Sequence, residues 1–100
     1  MTGKLIDGHF TADQAREVLL SLIGFKMKFH EFEIFKSHEN QDIDVDGHRD
    51  RIQELKELRE QVIIHLSLAN AADMLMKITC EIDIELLIST NQDRDVGSLT

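Results

Sequence analysis

Four residues of this sequence have the types and spacing to do chemistry together. They are Asp42, Asp44, Asp46 and Gly47, in the run Asp-Ile-Asp-Val-Asp-Gly. Carboxylates at alternate positions of a loop can turn their oxygens toward one point, which is what a hard cation such as calcium requires. A glycine directly after the third carboxylate lets the backbone turn sharply around such an ion.

This run resembles the first half of the EF-hand calcium loop, in which D-x-[DN]-x-[DN]-G is followed by a bidentate Glu at the twelfth position. The resemblance covers about twelve residues, and it implies a calcium ion held by Asp42, Asp44 and Asp46 between two helices. The second half departs from the pattern. The twelfth position is Gln53, with Glu54 one residue late, the eighth is Arg49, and Ile43 and Val45 separate the carboxylates. The competing reading is a solvated acidic loop whose aspartates cap the helix that follows.

The other reactive side chains form no recognisable set. A di-iron bundle needs Glu-x-x-His on facing helices, but Met27 stands three residues before His30 and Val62 three before His65. His30 and Glu33 can share a helix face, though two groups alone make no metal site. His9 reads as a solvated strand residue, and His65, inside Val-Ile-Ile-His-Leu, as an amphipathic interface residue. Cys80 is the single cysteine. It falls on the apolar face of an expected strand, where a thiol behaves as a small hydrophobe. With no G-x-S-x-G turn and no glycine-rich phosphate loop, the sequence reads as that of a protein without catalysis. No resident cofactor is expected beyond the calcium candidate.

Composition narrows the partners. Nineteen acidic residues against eleven basic ones leave a net charge of −8. Nucleic-acid binding draws on lysines and arginines that meet phosphates, and an anionic membrane repels such a chain, so both are argued against. No apolar run approaches the roughly 20 residues of a membrane span. The start, MTGKLIDGHF, lacks the apolar stretch of a signal peptide. A lone cysteine can form no intrachain disulfide. A reducing cytoplasm is the expected setting.

The elements that must position these residues follow from periodicity. Residues 4–10 alternate at Ile6, Gly8 and Phe10, as a short strand would. Thr11 and Gln14 have the spacing of a capping box. From Ala12 to about Ser37, apolar residues at Ala15, Val18, Leu19, Leu22, Phe25, Phe29, Phe32 and Phe35 recur in steps of three and four. The spacing predicts a helix of roughly 39 Å with the phenylalanines in the core. Residues 38–49 read as the connection. A second helix begins near Asp46 or Asp50 and places Ile52, Leu55, Leu58, Val62, Leu66 and Ala69 on its inner stripe, ending at about 72–76. Lys77–Leu87 alternate strictly, with Ile78, Cys80, Ile82, Ile84 and Leu86 on one side, which predicts a strand. Residues 1–88 then form one domain, and 89–100, poor in apolar residues, a flexible tail.

The expected fold is α+β and mainly α: an antiparallel αα-hairpin flanked by two strands, in the order β-α-α-β. After Gln61 the second helix is apolar almost all round, so one neighbour cannot cover it. A two-stranded sheet is marginal alone and leaves open edges. A homodimer answers both needs by forming a four-helix bundle. Ile63, Ile64, Leu68, Ile82 and Ile84 are the candidate contacts. The expected function is that of a homodimeric structural or protein-interaction module. The alternatives are a calcium- or metal-binding module at the acidic loop, and a hydrophobic-ligand carrier with the phenylalanine row lining a pocket.

Overall fold

A computed structural model describes residues 1–89. Strand β1 (Thr2–Phe10) leads into helix α1 (Ala12–Lys36), then helix α2 (Val45–Ala71) and strand β2 (Met76–Asp83). The β-α-α-β order, the helical hairpin and the antiparallel strand pair are as the sequence predicts. Most of the expected tail, from residue 90 onward, lies outside the described residues.

Local chemistry sets the helix ends. Thr11 is extended, its hydroxyl accepts from the Gln14 backbone N–H at 3.1 Å, and the Gln14 side-chain oxygen accepts from the Thr11 N–H at 3.0 Å. These two bonds satisfy donors that the first helical turn leaves free. Helix α2 starts earlier than expected. Asp44 is its N-cap, accepting from the Gly47 N–H at 2.9 Å. Its last turn closes with Met74 N–H donating to the Ala69 carbonyl and Asp73 N–H to the Asn70 carbonyl. Asp73 adopts φ 54, the left-handed residue such a closure requires, here supplied by Asp instead of Gly.

The strands form one antiparallel pair, with Ile6 opposite Cys80, Gly8 opposite Ile78 and Phe10 opposite Met76. The register slips between Lys4 and Ile6, so Leu5 is an extra residue there. The slip keeps Gly3, paired with Ile82, on the same face as Ile6. Main-chain bonds between Met1 and Ile84 extend the ladder beyond the strand ends. Regular pairing stops at Asp83, so the strand expected to reach Leu87 is shorter. Pairing reaches back to Thr2, which stands opposite Asp83.

The core lies in the seam between the helices. Ala12, Ala15, Ile23 and His30 of α1 meet Leu55, Leu66 and Ala69 of α2, and Ile6 joins from the sheet. Among the described residues, Leu66 is the one large side chain that is fully covered. The phenylalanine row is not part of this core: Phe25 is 77 % exposed, Phe32 58 % and Phe35 66 %. The physical reason is that α1 carries two apolar stripes. At about 100° per residue, Ala12, Ile23 and His30 share one direction, while Leu22, Phe25, Phe29 and Phe32 lie roughly 80–160° round the helix from it. Only one stripe can face α2.

The molecule measures 56 × 31 × 15 Å. A helix with its side chains is about 10–12 Å across, so the hairpin is one layer thick. Stable domains are normally built from at least two packed layers.

Candidate functional site

The acidic run does not form a single loop. Asp42 precedes the helix, its N–H donating to the Asn40 side-chain oxygen at 2.9 Å. Asp44 caps the helix, and Asp46 and Gly47 already lie in its first turn. Gly47 has a local role: a Cβ there would stand 2.3 Å from Asp44 Oδ2, so its absence lets the cap carboxylate fold back onto the helix end. Asp46 pairs with Arg49 at 3.7 Å. Among the described residues no group of three His, Cys, Asp or Glu side chains is placed to hold a metal ion. Asp42, Asp44 and Asp46 are thus dispersed between loop, cap and helix.

A different pair of reactive residues does come together. His30 of α1 and His48 of α2 face each other with Nδ1 atoms 2.8 Å apart, so one ring donates its Nδ1–H to the bare Nδ1 of the other. Phe29 stands edge-on to both rings, at centroid distances of 5.0 and 6.2 Å. His30 is 5 % exposed, and its Nε2 has no partner. Burial lowers its pKa below the usual 6.5, and the positive charges of Lys26, His48 and Arg51 act in the same direction against a smaller opposing pull from Glu33. The cluster fixes the register at the tip of the hairpin. Nothing in the spacing of two residues 18 apart announces such a contact; it follows only once the two helices are set side by side.

The remaining histidine of interest, His65, is exposed and bonds from Nδ1 to the Gln61 carbonyl of its own helix at 2.8 Å. Cys80 is half-buried and free. Neither has a charged or nucleophilic partner that would activate it.

The largest unsatisfied feature is apolar. In α1, Leu22 and Phe29 are turned about 80–100° from the seam and Phe25 about 140°, all in one sense. In α2, Leu58 and His65 are turned from the seam of Leu55 and Leu66 by similar angles in the same sense. Antiparallel helices wind in opposite senses when viewed from one end, so equal turns carry both sets to one side of the hairpin. Leu22, Phe25, Phe29 and Leu58 therefore form a common face, edged by Phe32, and all are exposed. The opposite side carries Lys56, Arg59 and Glu60 beside Met27.

Charge decorates the apolar face. The Lys26 ammonium stands 4.7 Å from the Phe29 ring centre and that of Lys36 5.2 Å from Phe32. Phe32 and Phe35 stack at 6.3 Å. Lys36 also pairs with Glu33 at 2.6 Å, and this hydrogen bond holds the Glu33 carboxyl below its ordinary range. Ammonium groups over ring faces are favourable in themselves.

The contact candidates read from sequence sit elsewhere on the surface. Ile63 is half-buried, while Ile64, Leu68, Ile82 and Ile84 are exposed. Leu68 borders a cleft of about 380 Å³ with His65, Met74 and Leu75 at the end of α2 nearest the sheet. Leu86, Leu87 and Ile88 follow the sheet and are more exposed still. No described helix is long and apolar enough to cross a membrane.

No family model matches this chain, and the searches of curated proteins and solved structures return no match either. The surface itself is what speaks to function.

Proposed function

We propose that the protein is a homodimeric structural or protein-interaction module without catalysis of its own. The observation that carries this reading is the allocation of apolar side chains. A single layer 15 Å thick fully covers one large hydrophobe, Leu66, while Phe25, Phe29, Phe32 and Leu58 stand in solvent. Monomeric proteins rarely expose contiguous apolar patches of this kind, and such patches mark contact sites. Burying each phenylalanine against a partner contributes roughly 1.5–3 kcal/mol. A second hairpin supplies the missing layer and turns two helices into a four-helix bundle. The open edges of the two-stranded sheet point the same way, since unpaired strand edges recruit further strands.

The test is the mass in solution. Sedimentation equilibrium at micromolar concentration is expected to give twice the chain mass of 11.5 kDa. A folded monomer under those conditions would remove the reading.

A further inference from the structure

Resting on the homodimer reading, we infer which surfaces the two copies use: α2 of one copy lies across the Leu22–Phe25–Phe29 face of α1 of the other, with the two-fold axis running along the length of the hairpin. Three observations converge on this arrangement.

The first is the shared side. Both helices turn large exposed hydrophobes to one face of the hairpin, while Lys56, Arg59 and Glu60 line the other beside Met27, so two copies meet face to face rather than edge to edge.

The second is register. His30 opposes His48, and Ile23 and Leu55 are both buried in the same seam, so residue numbers across the hairpin sum to nearly a constant. A two-fold axis along the hairpin sets tip over tip and exchanges α1 for α2 at each level. Leu22 then faces the partner's Leu58, Lys26 faces the partner's Glu54, and Lys36 faces the start of the partner's α2, where Asp44 and Asp46 lie.

The third is charge. Lys26 sits over Phe29, whereas Glu54 of α2, paired with Arg51 of its own helix, stands at the level that faces it across this axis. The alternative axis, across the hairpin, stacks α1 antiparallel on α1 and brings Lys26 toward its own copy instead of toward Glu54. It also sends the two sheets to opposite ends of the assembly. The axis along the hairpin brings both sheets to one end, where their open edges can meet. Like charges in register cost stability and opposite charges choose partners, so charge selects the first axis.

The test uses charge exchange at exposed positions, which leaves the seam intact. One variant carries Lys26→Glu, the other Glu54→Lys. Each is expected to keep its helical circular dichroism and to dissociate at least tenfold more readily than the natural chain. Mixed in equal amounts, they are expected to form a heterodimer by native mass spectrometry, because each α1 then meets an α2 of opposite sign. The glutamate-to-lysine variant is the decisive arm. It lowers the net negative charge, so general repulsion falls, yet its dimer should weaken. If that variant dimerises as well as the natural chain, the α1-on-α2 contact is wrong. A dimer indifferent to both changes has its contact elsewhere on the surface, which overturns this arrangement but leaves the homodimer standing. A natural chain that is monomeric overturns both.

Discussion

Acidification tests the contact made by His30, the buried polar side chain of the hairpin. His30 is 5 % exposed and shares one proton with His48 across 2.8 Å. Burial, Lys26, His48 and Arg51 hold its pKa below 6.5, so the unfolded chain binds a proton more readily than the folded one. The stabilisation is therefore complete above pH 6.5 and is lost as pH falls through the window between that value and the lowered one. For one proton the loss cannot exceed about 1.4 kcal/mol per pH unit. The actual slope should be smaller, because a hairpin one layer thick removes less water from a side chain than a deep core does.

Replacing His30 isolates this effect from the many surface carboxylates. His30→Leu keeps an apolar side chain of similar size in the seam and abolishes the titration. It removes a hydrogen bond worth about 0.5–1.5 kcal/mol net, but it also removes a buried, unpartnered Nε2 whose burial costs a comparable amount. At pH 7.5 the two should nearly cancel, leaving a change within about 1 kcal/mol. Urea midpoints measured from pH 7.5 to pH 5 should fall more steeply for the natural chain than for the variant. Glu33 does not confuse the result: its carboxyl, held low by Lys36, also loses stabilisation on acidification, but below pH 4.5. Parallel midpoint curves for the two proteins between pH 7 and pH 5 would refute the argument.

Three further substitutions probe the fold. Leu66→Ala removes a large side chain that is fully buried and should cost about 2–5 kcal/mol in denaturant unfolding. Thr11→Ala removes the hydroxyl that accepts from the Gln14 N–H, while the residue-11 N–H can still donate to the Gln14 side chain; it should cost about 0.5–2 kcal/mol, seen as a lower thermal midpoint. Gly47→Ala sets two effects against each other: a gain of about 1 kcal/mol in helix propensity and the loss of the Asp44 cap, worth about 0.5–2 kcal/mol. The signature is the cycle with Asp44→Ala, since Gly47→Ala should stabilise once the cap carboxylate is gone and should not while it is present.

What could be read from the sequence was what local chemistry decides. The Thr11–Gln14 box closes within one turn, and its four atoms need nothing from the rest of the chain. The alternation from Lys77 onward likewise needs only the period of two that any half-covered strand shows. The start of α2 falls at Asp44 and not at Asp46 or Asp50, because each of these aspartates satisfies the rule for a cap equally well. Gly47 then reads as a turn residue, although it lies in the first helical turn. The other end misleads in the opposite way: Asp73 takes a left-handed conformation usually marked by glycine. The Leu5 bulge and the His30–His48 contact are properties of register between separate elements, and no spacing within one element encodes them.

The phenylalanines show a deeper limit of pattern reading. A period of 3.6 marks a face that will be covered, and it is the same whether the cover comes from this chain or from another. Two helices offer each other one seam, and here the seam is filled by Ala12, Ala15 and Ala69, by Ile23, Leu55 and Leu66, and by a histidine. The small residues let the backbones come close, while the bulkiest apolar side chains of α1 are left outside. In a monomer that allocation would be inverted, since each phenylalanine buried yields more than each alanine. On the homodimer proposal folding and association are one process, with the seam setting the register and the phenylalanines contributing their transfer energy when the second layer arrives. On that account the chain's stability depends on its own concentration, as in dimers whose isolated monomer is only marginally folded.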